Sequence, residues 1–224
     1  MQKFTTTAPI AAVLDISAGR IRFIAADRTD TTVEILPADA AKSRDLKAAE
    51  QITVAYGDGV LRIEAPAAAT NRLLGNPGAV EVTVQLPAGS RIDATTATAE
   101  IRGVGRLGDV TLNSAHGTVK LDETASAHLT LAAGDITVGR LGGPARISTQ
   151  KGDLHITEAT HGTLTLRTEH GDISVGAARG TSASLDAGTS YGRIHNALNN
   201  ADGADTRLDI HATTAYGNIT ARSL

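Results

Sequence analysis

The chain contains no cysteine and no tryptophan, which excludes disulfides, thiolate metal sites and cysteine nucleophiles. Aromatic residues are scarce at 2%: Phe4, Phe23, Tyr56, Tyr191 and Tyr216. Base-stacking and sugar-stacking sites are built on aromatic platforms, so this scarcity argues against nucleic-acid grooves and conventional carbohydrate grooves. It also leaves the core to Val, Ile, Leu and Ala. Strong charge of either sign is missing too. A net charge of −3, with 20% charged residues, gives no bulk attraction to nucleic acid or an anionic membrane. No apolar run approaches the roughly 18 residues of a membrane span. The segment Met1–Pro9 lacks the apolar centre of a signal peptide, so a cytoplasmic protein is the default expectation, with export by a partner left open. At 224 residues the chain is long enough to bury a core.

What is present is a repeat. A small residue, a polar residue and an aliphatic–polar–aliphatic triplet recur as Gly117-Thr118-Val119-Lys120-Leu121, Gly134-Asp135-Ile136-Thr137-Val138, Gly152-Asp153-Leu154-His155-Ile156 and Gly171-Asp172-Ile173-Ser174-Val175. Weaker copies start at Ala99, Gly192 and Gly217, giving spacings of 18, 17, 18, 19, 21 and 25 residues. A second alternating triplet lies between successive phrases, for example Leu129-Thr130-Leu131 and Leu164-Thr165-Leu166. Each unit therefore offers two short strands, with Gly at the bend.

A period near 18 is too short for helical repeats or propeller blades, and suits one coil of a β-solenoid. One coil buries four or five aliphatic side chains at roughly 1.5–3 kcal/mol each. Ordering its backbone costs about 1–2 kcal/mol per residue, so a coil is stable only in a stack. The expected fold is all-β: a single-stranded, parallel β-helix-like solenoid over 91–224, continuous with an irregular N-terminal β cap region over 1–90. Within the cap, Val13–Ile24 reads as two strands bent at Ala18-Gly19, and Thr31–Leu36 as a further strand. Residues 38–51 read as a short helix or ordered loop with Asp39 as N-cap. Ile52–Ala55 and Val60–Ala65 read as a hairpin, and Val80–Leu86 as a half-buried strand. Asn71–Gly78 and Asn196–Asp205 read as surface loops.

The segment Val84-Gln85-Leu86-Pro87-Ala88-Gly89 leads into the Gly-Asp-Ile/Leu phrases at 134, 152 and 171, with an early copy at Ser17-Ala18-Gly19-Arg20-Ile21. In these features the chain resembles the bacterial putative-adhesin family with β-strand repeats, whose domain is one of unknown function. The resemblance covers nearly the whole chain and implies a β-solenoid-like fold.

Two columns of residues are candidates for function. The residue before each bend Gly is His116, Ala133, Lys151, His170, Tyr191 or Tyr216, which would line up as a binding ridge or as solvated turn residues. The residue after it gives Thr118, Asp135, Asp153, Asp172, Arg193 and Asn218. Stacked aspartates repel by about 1 kcal/mol per pair in water, and a bound Ca²⁺ on Asp135, Asp153 and Asp172 would relieve this. Gly-Asp is also ordinary turn chemistry, and the calcium-binding nonapeptide with its doubled Gly is absent. The seven histidines form no metal motif, and no nucleophile elbow or phosphate loop occurs. No catalytic residue and no cofactor are expected.

The leading expectation is a non-catalytic scaffold. It would pair with itself or a protein partner through its C-terminal coil, as a dimer or an end-to-end polymer, because an open stack leaves unpaired backbone. The alternative is an adhesin-like module for a polysaccharide or other glycan surface polymer, using the ridge. A carbohydrate-active β-helix enzyme is the third reading, and would need carboxylates converging in a cleft. Nucleic acid and membrane insertion are not expected.

Overall fold

The computed structural model describes residues 1–66, 78–199 and 206–224. The loops expected at 71–78 and 196–205 lie outside them, apart from Gly78 and residues 196–199. The protein is all-β apart from one short helix, and its chain divides into two compact units, Met1–Gly117 and Thr118–Leu224.

The first unit contains β1 (Gln2–Thr5), β2 (Ala11–Ala26), β3 (Asp30–Pro37), α1 (Ser43–Gln51), β4 (Thr53–Gly57), β5 (Val60–Glu64), β6 (Val80–Pro87) and β7 (Arg91–His116). β2 lies at its centre, parallel to β7 on one side and to β5 and β6 on the other. Its apolar residues alternate in two runs, Ala12, Leu14 and Ile16, then Ile21 and Phe23, all buried, with the phase shifting at Ala18-Gly19. The remaining pairings change sense: β4 runs antiparallel to β5, β3 to β6, and β1 to β3. The hairpin between β4 and β5 closes over Asp58 and Gly59, both with positive φ (51° and 75°), as a tight two-residue turn needs. The expected helix is α1, but Asp39 does not cap it. Lys42 holds the N-cap position with no side-chain cap, and Asp39 Oδ1 accepts the Ala41 amide instead. Buried Asp45 pins α1 to the sheet by accepting the Ala79 amide at 3.0 Å.

The second unit contains β8 (Val119–Ala133), β9 (Ile136–Leu141), β10 (Ala145–Lys151), β11 (Leu154–Ala159), β12 (Gly162–Arg167), β13 (Ile173–Ala177), β14 (Thr181–Tyr191), β15 (Ile194–Ala197), β16 (Thr206–Tyr216) and β17 (Ile219–Ser223). All its pairings are parallel and put equivalent repeat positions side by side. Ala145 pairs with Ala127 and Leu164, a step of 18 residues back and 19 forward. Ile136 pairs with Val119 and Leu154, steps of 17 and 18. Like residues therefore stack into columns, and Val119, Ile136, Leu154, Ile173 and Ile219 form one that is almost fully buried.

The order of the last two repeats is reversed. β16 lies between β12 and β14, and β17 between β13 and β15. The C-terminal repeat is thus paired on both sides, which corrects the expectation of an open C-terminal end. Among the described residues β14 and β15 have a ladder on one side only, so the sheet is open there. The reason lies in the side chains. The 206–223 repeat offers Ile210, Ala212, Ile219 and Ala221 to the interior, all buried. The 181–197 repeat offers Asn196 opposite Ala221, a polar group that is expensive to bury between aliphatic layers. The polar repeat takes the wet end.

Candidate functional site

The residues preceding the bend glycines stack in the second unit, in a spatial order that differs from chain order. Ala133 pairs with Lys151, Lys151 with His170, His170 with Tyr216, and Tyr216 with Tyr191. The three rings form a continuous stack. His170 and Tyr216 have centroids 5.0 Å apart at 8°, and Tyr216 and Tyr191 4.9 Å apart at 5°. Strand spacing imposes this distance: parallel neighbours hold equivalent side chains at roughly 4.8 Å, and planar rings fill that gap. The stack is exposed, with Tyr191 66% and Tyr216 50% accessible. Stacking occupies both faces of Tyr216, so the ridge presents ring edges, the tyrosine hydroxyls, an imidazole and the Lys151 ammonium. Among the described residues the outer face of Tyr191 has no ring against it. His116 belongs to the first unit, where it ends β7, and the ring stack forms without it.

The column after the bend glycines forms a second ladder, made of hydrogen bonds. Asp135 Oδ1 accepts the Asp153 amide at 2.9 Å, and Asp153 Oδ1 accepts the Asp172 amide at 2.8 Å. Asp172 Oδ1 accepts the Asn218 amide at 2.6 Å, and Asn218 Oδ1 accepts the Arg193 amide at 3.0 Å. Each side chain thereby fastens the next repeat in the stack, in the reversed order that the strands show. Asp135, Asp153 and Asp172, considered as calcium ligands from sequence, each already bind a backbone N–H. Among the described residues no cluster of three or more acidic, His or Cys groups is placed to hold a metal ion.

A third column escapes the sequence reading. Three residues before six of the seven bends stand Thr96, Ser114, Thr149, Thr168, Thr189 and Thr214, with Leu131 taking the place before Gly134. Five of these are buried, Thr189 being the half-exposed one at the end repeat. Thr168, Thr214 and Thr189 donate to the carbonyls of Gly152, Gly171 and Gly217, and Thr149 and Ser114 to those of Lys151 and His116. The hydroxyls thus find acceptors on carbonyls at the bend, and the Lys151 carbonyl takes the Gly134 amide as well. The signal was available, since the hydroxyls recur at a fixed distance before the phrase, but the alternation makes them look like interior positions.

Among the described residues two clefts hold charged groups. In the second unit a cleft of about 510 Å³ is lined by Arg140, Glu158, Thr160, His161, Arg179 and Thr181, among others. Its one acidic side chain, Glu158, lies 3.8 Å from Arg140. In the first unit a smaller cleft of about 150 Å³ holds Glu81 and Glu100. Arg20 lies between them, 3.0 Å from Glu81 and 3.5 Å from Glu100, so these carboxylates serve as ion-pair partners. The strongest electrostatic perturbation lies elsewhere. The Arg28 guanidinium, with help from Lys3, holds the Asp30 carboxyl at about 2, against its usual 3.8. That pairing pins β1 to β3. A hydrogen bond from Ser184, with Arg207 beside it, likewise lowers Asp209. No helix among the described residues is long and apolar enough to cross a membrane.

Several solved structures match the chain at very low identity. One is described as a putative cell adhesion protein from Clostridium sporogenes, with 9% identity, covering 100% of this chain and 98% of that one, at a TM-score of 0.46. A putative adhesin from Bacteroides fragilis matches with 14% identity over 98% and 95% of the two chains, TM-score 0.46. A putative lipid binding protein from Parabacteroides distasonis matches with 11% identity over 98% and 95%, TM-score 0.47. No curated protein matches the sequence. The family model described as Toastrack DUF4097 matches residues 89–221, which takes in the end of β6's turn and nearly every repeat, and the chain belongs to that family.

Proposed function

We propose that this protein is a non-catalytic interaction scaffold: a β-solenoid with coils of about 18 residues, preceded in the chain by a β region over 1–90, that displays a ridge to a polymeric ligand. The observation that carries this reading is the exposed column Lys151, His170, Tyr216 and Tyr191, held in register by ladder pairing. A repeating row of donors and acceptors on a stiff backbone suits an extended ligand with its own repeat, such as a polysaccharide or other surface polymer. It suits a small substrate poorly. Catalysis is not part of the proposal, because the carboxylates of both clefts are committed to arginines. The same ridge does not favour nucleic acid, since its ring faces are used in stacking one another.

The test is a glycan array followed by titration of the best binder. Tyr191→Ala combined with His170→Ala should reduce affinity at least tenfold, with circular dichroism unchanged. An array without binders, or a double variant that binds like wild type, would remove the ridge from consideration.

A further inference from the structure

We infer that the open edge formed by β14 and β15 is a dimerisation site that takes the same edge of a second copy, in antiparallel, two-fold fashion. Among the described residues this edge is long and carries a ladder on one side only. Tyr191 and Arg193 turn their carbonyls to the amides of Gly217 and Ile219, at 3.0 and 2.9 Å. Backbone groups alternate sides along a strand, so those of Gly188, Ser190, Gly192 and Ile194 point away from the sheet. Natural edges are blunted by lysine, proline or a bulge. The eleven residues of β14 include neither lysine nor proline, only one charge, Asp186, and its register with β16 runs unbroken from Thr181 to Thr189. The interior columns also end here unfinished: Leu185 and Ala187 are half-buried, and Ile194 is 46% exposed where its column mates are buried.

The shape of this edge selects its occupant. An extended peptide could pair with β14 or with β15, but would not cover both strands and the aliphatic ends between them. A second coil edge covers all of these at once. Two features favour two-fold over same-sense stacking. The Asx ladder stops at Arg193, which has no side-chain acceptor for the amide of a following coil. Among the described residues β1 and β4 of the first unit have a ladder on one side only, and they are short edges of four and five residues, β1 carrying Lys3. Charges are compatible as well, since the edge carries Asp186 together with Arg193 and His195. The inference does not rest on the ridge reading, although Tyr191, the last residue of β14, belongs to both.

The experiment is sedimentation velocity on the full chain over a wide concentration range. A dimer of the 23.0 kDa chain is expected. Gly188 has open space around its missing Cβ, so Gly188→Pro removes one outward N–H with little steric cost, while Gly188→Ala keeps it. Gly188→Pro and Ile194→Arg should each weaken the dimer tenfold or more, and Gly188→Ala should leave it intact, all with wild-type strand content. A strict monomer, an open polymer, or a dimer indifferent to both substitutions in folded protein would overturn the inference.

Discussion

At the scale of single residues, the chemistry after each bend glycine is a fastening device. Asp135, Asp153 and Asp172 each take an amide of the neighbouring repeat, and Asn218 does the same without a charge. That one asparagine shows what the position needs, which is an acceptor oxygen. Asp172→Asn should therefore be nearly neutral, whereas Asp172→Ala leaves the Asn218 amide without its partner and should cost about 1 kcal/mol. Equilibrium denaturation of the two variants measures the difference. In the same assay, millimolar Ca²⁺ should leave the wild-type midpoint unchanged. A calcium site would raise the midpoint and make it depend on all three aspartates.

At the scale of elements, the bend decides whether a repeat can stack. Gly152 has φ of 142°, and a Cβ there would fall on the Gly134 carbonyl oxygen of the repeat beneath. Gly180, with φ of 75°, has open space around it. Gly152→Ala should destabilise by more than the roughly 1–3 kcal/mol of backbone strain alone, and Gly180→Ala by no more than that strain. Thermal melts of both variants check the ranking. These bends, the alternating strands and the aliphatic columns were legible in sequence because each is a local pattern repeated many times. The ring stack was half legible. Its residues could be named from their place before each glycine, but which ring touches which depends on the order of the repeats. That order was not legible, because the ladder is made by the backbone, and backbone hydrogen bonds do not distinguish one repeat from another. Asn196 opposite Ala221 carries the information, and it is a single polar residue in a column of aliphatics.

At the scale of the whole molecule, the reversed repeats make strand order and chain order disagree. β14 and β15 have described partners only in β16 and β17, which lie some 25 residues further along the chain. In the first unit β2 likewise waits for β5, β6 and β7, which come much later. Such non-local pairings slow folding, because chain closure precedes the contacts that reward it. The 181–197 segment also has little core of its own, since Leu185, Ala187 and Ile194 are all partly exposed even in the finished fold. It matters, then, when each part of the chain leaves the ribosome. Synthesis proceeds at about 5–20 residues per second. The 181–197 segment emerges seconds before the strands it needs, and residues 206–223 settle between strands that are already out. A nascent chain stalled with residues 206–223 still in the exit tunnel should be cut by protease within 181–197 while 119–177 resists. Releasing the stall should close that site.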